Sequence, residues 1–430
     1  MTHLLYTLNL AAFALLTLGF PLWLSHKLHL PVWNPIVLSM LFTVPIDLFK
    51  AYLGPAFLLD DGLYNPYYNY AIWMSNLELL CSFVVAHRLL GWLDAHRTAF
   101  LTTVRRWEPA WQVRRTRVFA TAMLFLLLFL FFWVVTASSS LGVAGWIASP
   151  RTGYQFHRSG AGQYYALALL CLSTSYALLL LFVRRRSQVV LGLAVYLCFA
   201  FLLGSKNILL NFSIYAVIIL WYHRIRHIGR KMLVLLPLCF VPMLLNFGSF
   251  DLQQIISYFD YYINSAHYYE ARFSGEIDLF HGQIALTNAW GMVPRSLVPD
   301  KPYVYGMTLV TDHFFPGAAE ETHTPAFGGP VRYFADFGVW GVVLHSLFNP
   351  ELWLRLLCYW LIFRHRSLGS IRRNPLTIYL FLLTFAPSFL FYFLFPASAI
   401  LFFCVVKLIS VSNRIVVSSA KNNRSHALFR

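Results

Sequence analysis

The sequence predicts an all-α polytopic integral membrane protein of about eleven transmembrane helices, with one large outer loop over residues 250–335. Three observations predict it. Of the 430 residues, 59% are hydrophobic and only 12% are charged, whereas soluble domains carry about 25% charge. Apolar runs of spanning length alternate with short basic runs. Finally, polar and titratable residues gather in a single interruption that opens FDLQQIISYFDYYINSAHYYEARF and closes HTPAFGGPVRYFADFG.

A span needs about 20 apolar residues. On that template the expected spans are 4–24, 34–57, 69–91, 118–137, 163–183, 188–204, 207–222, 232–249, 334–350, 376–394 and 397–412. The first is read as a retained helix rather than a signal peptide, because MTHLLYTLNL has no basic start and no small-residue cleavage site follows. The segment 352–363 is ambiguous. Pro350 and Arg355 suggest a kinked or surface-lying continuation of the ninth helix, while its apolar content allows a further span that would reverse the C-terminus.

Orientation follows from the basic residues, which are held on the cytoplasmic side. Arg97, Arg105, Arg106, Arg114, Arg115 and Arg117, then Arg184 to Arg186, Arg224, Arg226, Arg230 and Lys231, Arg364, Arg366, Arg372 and Arg373 all fall on one side with eleven spans. Lys50, Arg151, Arg158, Lys206, Arg272, Arg295, Lys301 and Arg332 are left on the other. Topology does not account for these outer cations.

The same distribution excludes other classes. The net charge of +16 lies mainly in runs flanking spans, so it marks topology and not a nucleic-acid surface. All six cysteines sit in apolar runs with no CxxC spacing, so neither a disulfide framework nor a Cys/His metal centre is expected. No repeat and no separate soluble domain is visible, so residues 1–430 read as a single membrane domain.

Outer cations at a membrane surface fit a phosphate or diphosphate head group, gripped bidentately by Arg and as a point charge by Lys. Arg151, Arg158, Arg272, Arg295, Lys301 and Arg332 are the candidates, with ion pairing to nearby acids or lipid as the ordinary alternative. Lys206 sits in a turn between two barely spanning helices, where a charge is costly and usually functional unless it snorkels. Candidate bases are Glu276, Asp278, His281, His313, Glu320, Glu321 and His323. Glu276-x-Asp278 or Asp60-Asp61 offers carboxylates to a divalent ion, but such spacing is common, and no metal site is expected. The tyrosines of the first and third outer loops offer faces for sugar rings; most are read as interfacial belt.

The runs RFSGEIDLF from Arg272, MVPRSLVPDKPYVYG, HTPAFGG and RYFADFGVWG resemble the large outer loop of bacterial O-antigen polymerases, the oligosaccharide repeat-unit polymerases of the Wzy type. The GSKN turn followed by LLNFSIYAVI, and the second outer loop with Arg151 and Arg158, are similar to that family too. The resemblance implies a GT-C-like glycosyltransferase of the bacterial inner membrane with its active site facing the periplasm. It implies transfer of glycan from undecaprenyl diphosphate to the non-reducing end of another lipid-linked repeat unit. Arg272, Arg295, Arg332 and Lys206 would bind diphosphate, Arg158 would guard the second lipid-linked substrate, and the base would be His323 or Glu276, with Arg295 completing the catalytic set. It implies no cofactor; the partners are the undecaprenyl-diphosphate-linked oligosaccharide, membrane lipid and a chain-length regulator. An O-antigen ligase and a flippase are the alternatives. A flippase is disfavoured because mid-span ionisable residues are few (Asp47, Glu78, His345) and no repeat is visible.

Overall fold

The computed structural model describes residues 2–53, 65–99, 101, 115–156, 162–182, 186–205, 208–210, 214, 221, 261–293, 297–318, 320, 325–364, 401, 404–409 and 411–412. Among these residues every regular element is helical. The protein is all-α, as the apolar spacing predicts.

The expected spans 4–24, 34–57, 69–91 and 118–137 are α1 (Thr2–Lys27), α2 (Pro35–Leu53), α3 (Pro66–Ala95) and α4 (Arg115–Ser138). Those at 163–183 and 188–204 are α7 (Gly162–Phe182) and α8 (Arg186–Leu202), preceded in the second outer loop by short helices α5 (Gly142–Ala148) and α6 (Pro150–Phe156). Among the described residues three helices, Leu4–Lys27, Pro35–Tyr52 and Thr116–Ser138, are both long and apolar enough to cross a membrane by length and composition. The spans expected at 232–249 and 376–394, most of 207–222 and part of 397–412 lie outside the described residues.

Asn-Pro starts helices here. Asn34, Asn65 and Asn349 each precede a proline, and each side-chain oxygen accepts the amide N–H groups two and three residues on. The amide oxygen satisfies donors left free in the first turn, and proline at the first helical position sacrifices no bond. Asn349 starts a new helix at the ambiguous segment: α13 (Pro350–Tyr359), running on to Arg364, is a separate capped helix. It packs beside α3, where Trp360 Nε1 donates to Asp94 Oδ1 at 2.9 Å.

The span expected at 334–350 needs correcting. α12 (Val331–Phe348) is broken at Phe337 and Gly338, whose backbone leaves helical geometry, with Gly338 at φ 63°. The second half folds back on the first: the Tyr333 and His345 rings stack at 15°, and a Cβ on Gly341 would collide with the Tyr333 carbonyl. Gly338 makes the left-handed turn possible, and Gly341 makes the close approach possible.

The helix α3 is the hub, packed by α1, α9 (Tyr261–Ser274), α12 and α13, while α4 lies along α7. One core cluster joins α4, α7 and α8 to the later halves of α1 and α3. A second gathers the start of α1 (Tyr6, Leu10, Phe13), the end of α2 (Ala51) and the start of α3 (Tyr68, Ala71, Ile72, Met74) under α9 and the first half of α12. These are the ends that the sequence reading expects on the outer side. Across the same seam Asn9 Nδ2 donates to Asn69 Oδ1 and Asn76 Nδ2 donates to Asn9 Oδ1, both at 2.6 Å, a polar ladder between two apolar helices.

Candidate active site on the large loop

The docked face of α9 is aromatic. Tyr262, Tyr268 and Tyr269 are buried against α3 and α12, with Tyr269 meeting Tyr70 and Phe334 edge-to-face at 4.9 Å. Burial pushes all three phenols above their ordinary range. These tyrosines, and Tyr68, are therefore core residues; neither the interfacial belt nor sugar platforms describe them. Their hold on α3 is also polar, since Ser75 Oγ and Tyr262 OH lie 3.1 Å apart.

Residues 325–329 are stitched to the start of α9. Asn264 Nδ2 donates to the Ala326 carbonyl (2.9 Å), Gly328 N–H to the Tyr261 carbonyl (2.7 Å) and Ser265 Oγ to the Gly328 carbonyl (2.8 Å). A Cβ on Gly328 would sit 2.9 Å from the Tyr262 ring, and Gly329 has φ 64°. Both glycines are needed for a backbone this close to a helix. Lys50, at the end of α2, places its ammonium 4.4 Å from the Tyr261 ring centroid at the same corner.

Asp336 anchors the next stretch. Its carboxylate is buried and accepts N–H bonds from Gly282 (3.1 Å), Ile284 (3.0 Å) and Ala285 (2.8 Å), capping the short helix α10 (Gln283–Thr287). Phe280 and His281 donate to the Ala335 and Asp336 carbonyls. Residues 280–285 are thus fixed to the first half of α12, just before its break.

On the opposite side of α9, Asn264, His267 and Glu270 recur every three residues on one face. With Glu276, Phe314 and Phe315 they line a cleft of about 330 Å³. Glu276 follows Gly275 (φ 83°), and its N–H returns to the Ala271 carbonyl at 2.9 Å, closing α9. Its Oε1 stands 3.4 Å from His313 Nε2, on the last turn of α11 (Thr308–Phe314). A second pair on the rim sets His267 Nδ1 3.9 Å from Glu270 Oε2. Among the described residues no group of three or more His, Cys, Asp or Glu side chains is placed to hold a metal ion. Glu276 and Asp278 diverge, Glu276 toward His313 and Asp278 toward Arg272.

The cations take varied positions. Arg272 Nη1 lies 3.4 Å from the Ile277 carbonyl and 3.9 Å from Asp278 Oδ1. Arg332 starts α12 with its guanidinium 5.8 Å from the Tyr333 ring centroid. Lys301 Nζ donates to the Val293 carbonyl at 3.0 Å, tying together the chain on either side of Arg295. Arg295, His323, Lys206 and Arg158 lie outside the described residues, as do Glu321, Asp60 and Asp61.

Their surroundings are described for the GSKN turn. Trp146 Nε1 and Trp133 Nε1 donate to the Leu202 carbonyl and Tyr165 OH to the Leu203 carbonyl, so three side chains hold the end of α8. Gly204 (φ 72°) presses on the Pro150 carbonyl so closely that a Cβ would overlap it. The second outer loop and this turn are locked together, with Arg151 beside them, its guanidinium 5.4 Å from the Tyr154 ring. Sequence reasoning considered His313 only singly and missed its pairing with Glu276, which lies 37 residues earlier in the chain with no local signal to join them.

Over 223 residues the chain is 27% identical to curated O-antigen polymerases of Salmonella typhimurium (strain LT2) and Salmonella typhi, an alignment covering 48% of this chain and 53% of each relative. The chain spans about half the length of the curated relatives it matches. No protein-family model and no solved structure matches it.

Proposed function

We propose, taking the likeness to O-antigen polymerases as the premise, that this protein polymerises lipid-linked oligosaccharide repeat units as a single membrane domain over residues 1–430. That likeness over 223 residues is the observation that carries the reading. The reaction moves a glycan from undecaprenyl diphosphate to the non-reducing end of another lipid-linked repeat unit, on the periplasmic face of the bacterial inner membrane. A chain-length regulator would be a partner.

Such a transfer needs the departing diphosphate stabilised and the acceptor hydroxyl deprotonated. Arg272, Arg295, Arg332 and Lys206 supply charge for the diphosphate, and Arg158 for the second lipid-linked substrate. A diphosphate neutralised in this way leaves without a general acid. The base belongs to the large loop, where Glu276 lines the cleft and His323 precedes the stretch that Asn264 fixes at Ala326. Charge develops at the anomeric carbon through an oxocarbenium-like transition state.

Deletion of the gene in a host with a defined surface glycan tests this reading. Loss of a polymerase leaves single repeats on the cell surface. Polymer retained on its carrier would indicate a ligase, and single repeats trapped on the cytoplasmic face would indicate a flippase.

A further inference from the structure

Lys50 is an outer cation that the proposed reaction leaves unassigned. It lies in the last turn of α2, at the end expected on the outer side, with its side chain partly exposed. The buried Tyr68 hydroxyl fixes its backbone, donating to the Ala51 carbonyl at 2.7 Å with the Lys50 carbonyl at 3.3 Å. The ammonium rests over the Tyr261 ring at 4.4 Å from its centroid, and Tyr261 is held in turn by Gly328 N–H on its carbonyl. A ring face satisfies one side of an ammonium that carries three donors. Asp47, one turn earlier on α2, is near enough for its charge to act on Lys50, yet the two form no salt bridge. Among the described residues Nζ has neither an ion pair nor a hydrogen bond, the carbonyls that close α2 included. A partly buried cation in that state is costly unless an anion meets it.

Lys50 and Arg272 stand at opposite ends of α9. Tyr261 opens the helix and Arg272 lies in its last turn, about 16 Å further on at about 1.5 Å per residue. Arg272 is held at that end, its Nη1 3.4 Å from the Ile277 carbonyl. Ion pairs close within about 4 Å, and a diphosphate is only two phosphoryl groups sharing one oxygen. One diphosphate therefore does not reach both cations, and the two ends of α9 serve two anions. A polymerase holds two lipid diphosphates at once, and their needs differ. The donor's diphosphate gains charge as it leaves, which favours the bidentate grip of arginine. The acceptor's diphosphate does not react, and the point charge of a lysine is enough to anchor it.

We propose that Lys50 binds the diphosphate of the acceptor, the second lipid-linked repeat unit, at the start of α9, while Arg272 stays with the donor at the other end. The proposal rests on the polymerase reading above, and it adds a residue of the helical body to Arg158 on the acceptor side. The ligand is a phosphate ester carried by a membrane lipid. An ordinary phospholipid head group shares that chemistry, and the two sources separate in the experiment.

The test uses the full chain in nanodiscs and a synthetic polyprenyl-diphosphate repeat unit capped at its non-reducing hydroxyl, which donates and cannot accept. Two acceptors are compared. One carries polyprenyl diphosphate through a methylene in place of the glycosidic oxygen, so it accepts and cannot donate; the other is a polyprenyl glycoside of the same repeat unit, which keeps the tail and lacks the diphosphate. Lys50→Gln is expected to raise KM for the diphosphate acceptor by about 10-fold at nearly constant kcat, with KM for the glycoside and donor binding unchanged. Lys50→Arg keeps the charge and should recover most of the loss. Asp47→Asn removes the neighbouring negative charge and should leave that KM equal or lower, whereas a merely structural Asp47–Lys50 pair would make it rise as Lys50→Gln does. An unchanged KM for the diphosphate acceptor in Lys50→Gln would overturn the proposal, and so would a rise shared by the glycoside. A rise seen only in discs containing phosphatidylglycerol would assign Lys50 to an ordinary lipid head group and overturn it too. A donor-binding wild type that extends neither acceptor would overturn the polymerase reading, and this proposal with it.

Discussion

The carboxylate of Asp336 lies 2.8 Å from the amide nitrogen of Ala285, and with the amides of Gly282 and Ile284 it closes the loop onto α12 immediately before the helix breaks. A buried carboxylate with three backbone donors is a strong anchor, because each charge-assisted bond contributes about 1.5–3 kcal/mol and unpaired buried donors are costly. Asp336→Ala should therefore lower the melting temperature in detergent and expose amides 280–287 to hydrogen exchange. Unchanged exchange in that stretch would show that α10 is held by other contacts.

The double glycine at 328–329 makes a second prediction. Gly329→Ala places a side chain at φ 64° against Ser75, where both strain and crowding oppose it. A loss of about 1–3 kcal/mol is expected, read as earlier thermal unfolding and as proteolysis near the turn. A variant as stable as the wild type would contradict the tight docking of residues 325–329 on α3 and α9.

Asn349 predicts a smaller and more local effect. Asn349→Ala removes the oxygen that caps Glu351 and Leu352, and losing such a cap costs about 0.5–2 kcal/mol. Hydrogen exchange in the first turn of α13 should rise, with little change in α3. Protection unaltered in both would mean the cap is dispensable.

Much of this architecture is legible in sequence. The spans that became α1 to α4, α7 and α8 are marked by length, apolarity and basic flanks, because a membrane imposes one rule on every turn. The break in α12 was not legible. FGVWGVVLHSLF reads as a continuous apolar run, and glycine is common in spanning helices; the break depends on the stacking of Tyr333 on His345 and the approach of Gly341 to the Tyr333 carbonyl. The separate start of α13 is legible in Asn349-Pro350, although the apolar pattern of 352–363 alone leaves a continued helix and a further span both open. On the large loop, Arg272 and Glu276 stand out in the sequence by residue type, and the HTPAFGG and RYFADFG runs by resemblance. Tyr68, Tyr262, Tyr268 and Tyr269 were misassigned because an aromatic-rich segment has the same composition whether it faces lipid, sugar or a core. The Glu276–His313 pair is a tertiary contact, and no local pattern encodes it.

The diphosphate-binding role proposed for Arg272 and Arg332 can be tested separately from the chemistry. Each sits beside groups that orient its guanidinium, the Ile277 carbonyl and Asp278 for Arg272 and the Tyr333 ring for Arg332. Replacing either with Ala should weaken donor binding, whereas Lys should retain part of it as a point charge. Donor affinity unaffected by both substitutions would place the diphosphate elsewhere.

The most direct measurement of the central claim gives purified protein a single synthetic polyprenyl-diphosphate repeat unit as both donor and acceptor and follows the products by chain length. Polymerisation predicts a ladder that grows by whole repeat units, keeps one lipid diphosphate per chain and is abolished by Arg295→Ala. Release of free glycan, or transfer only to a different acceptor with no ladder from a preparation that binds donor, would contradict it.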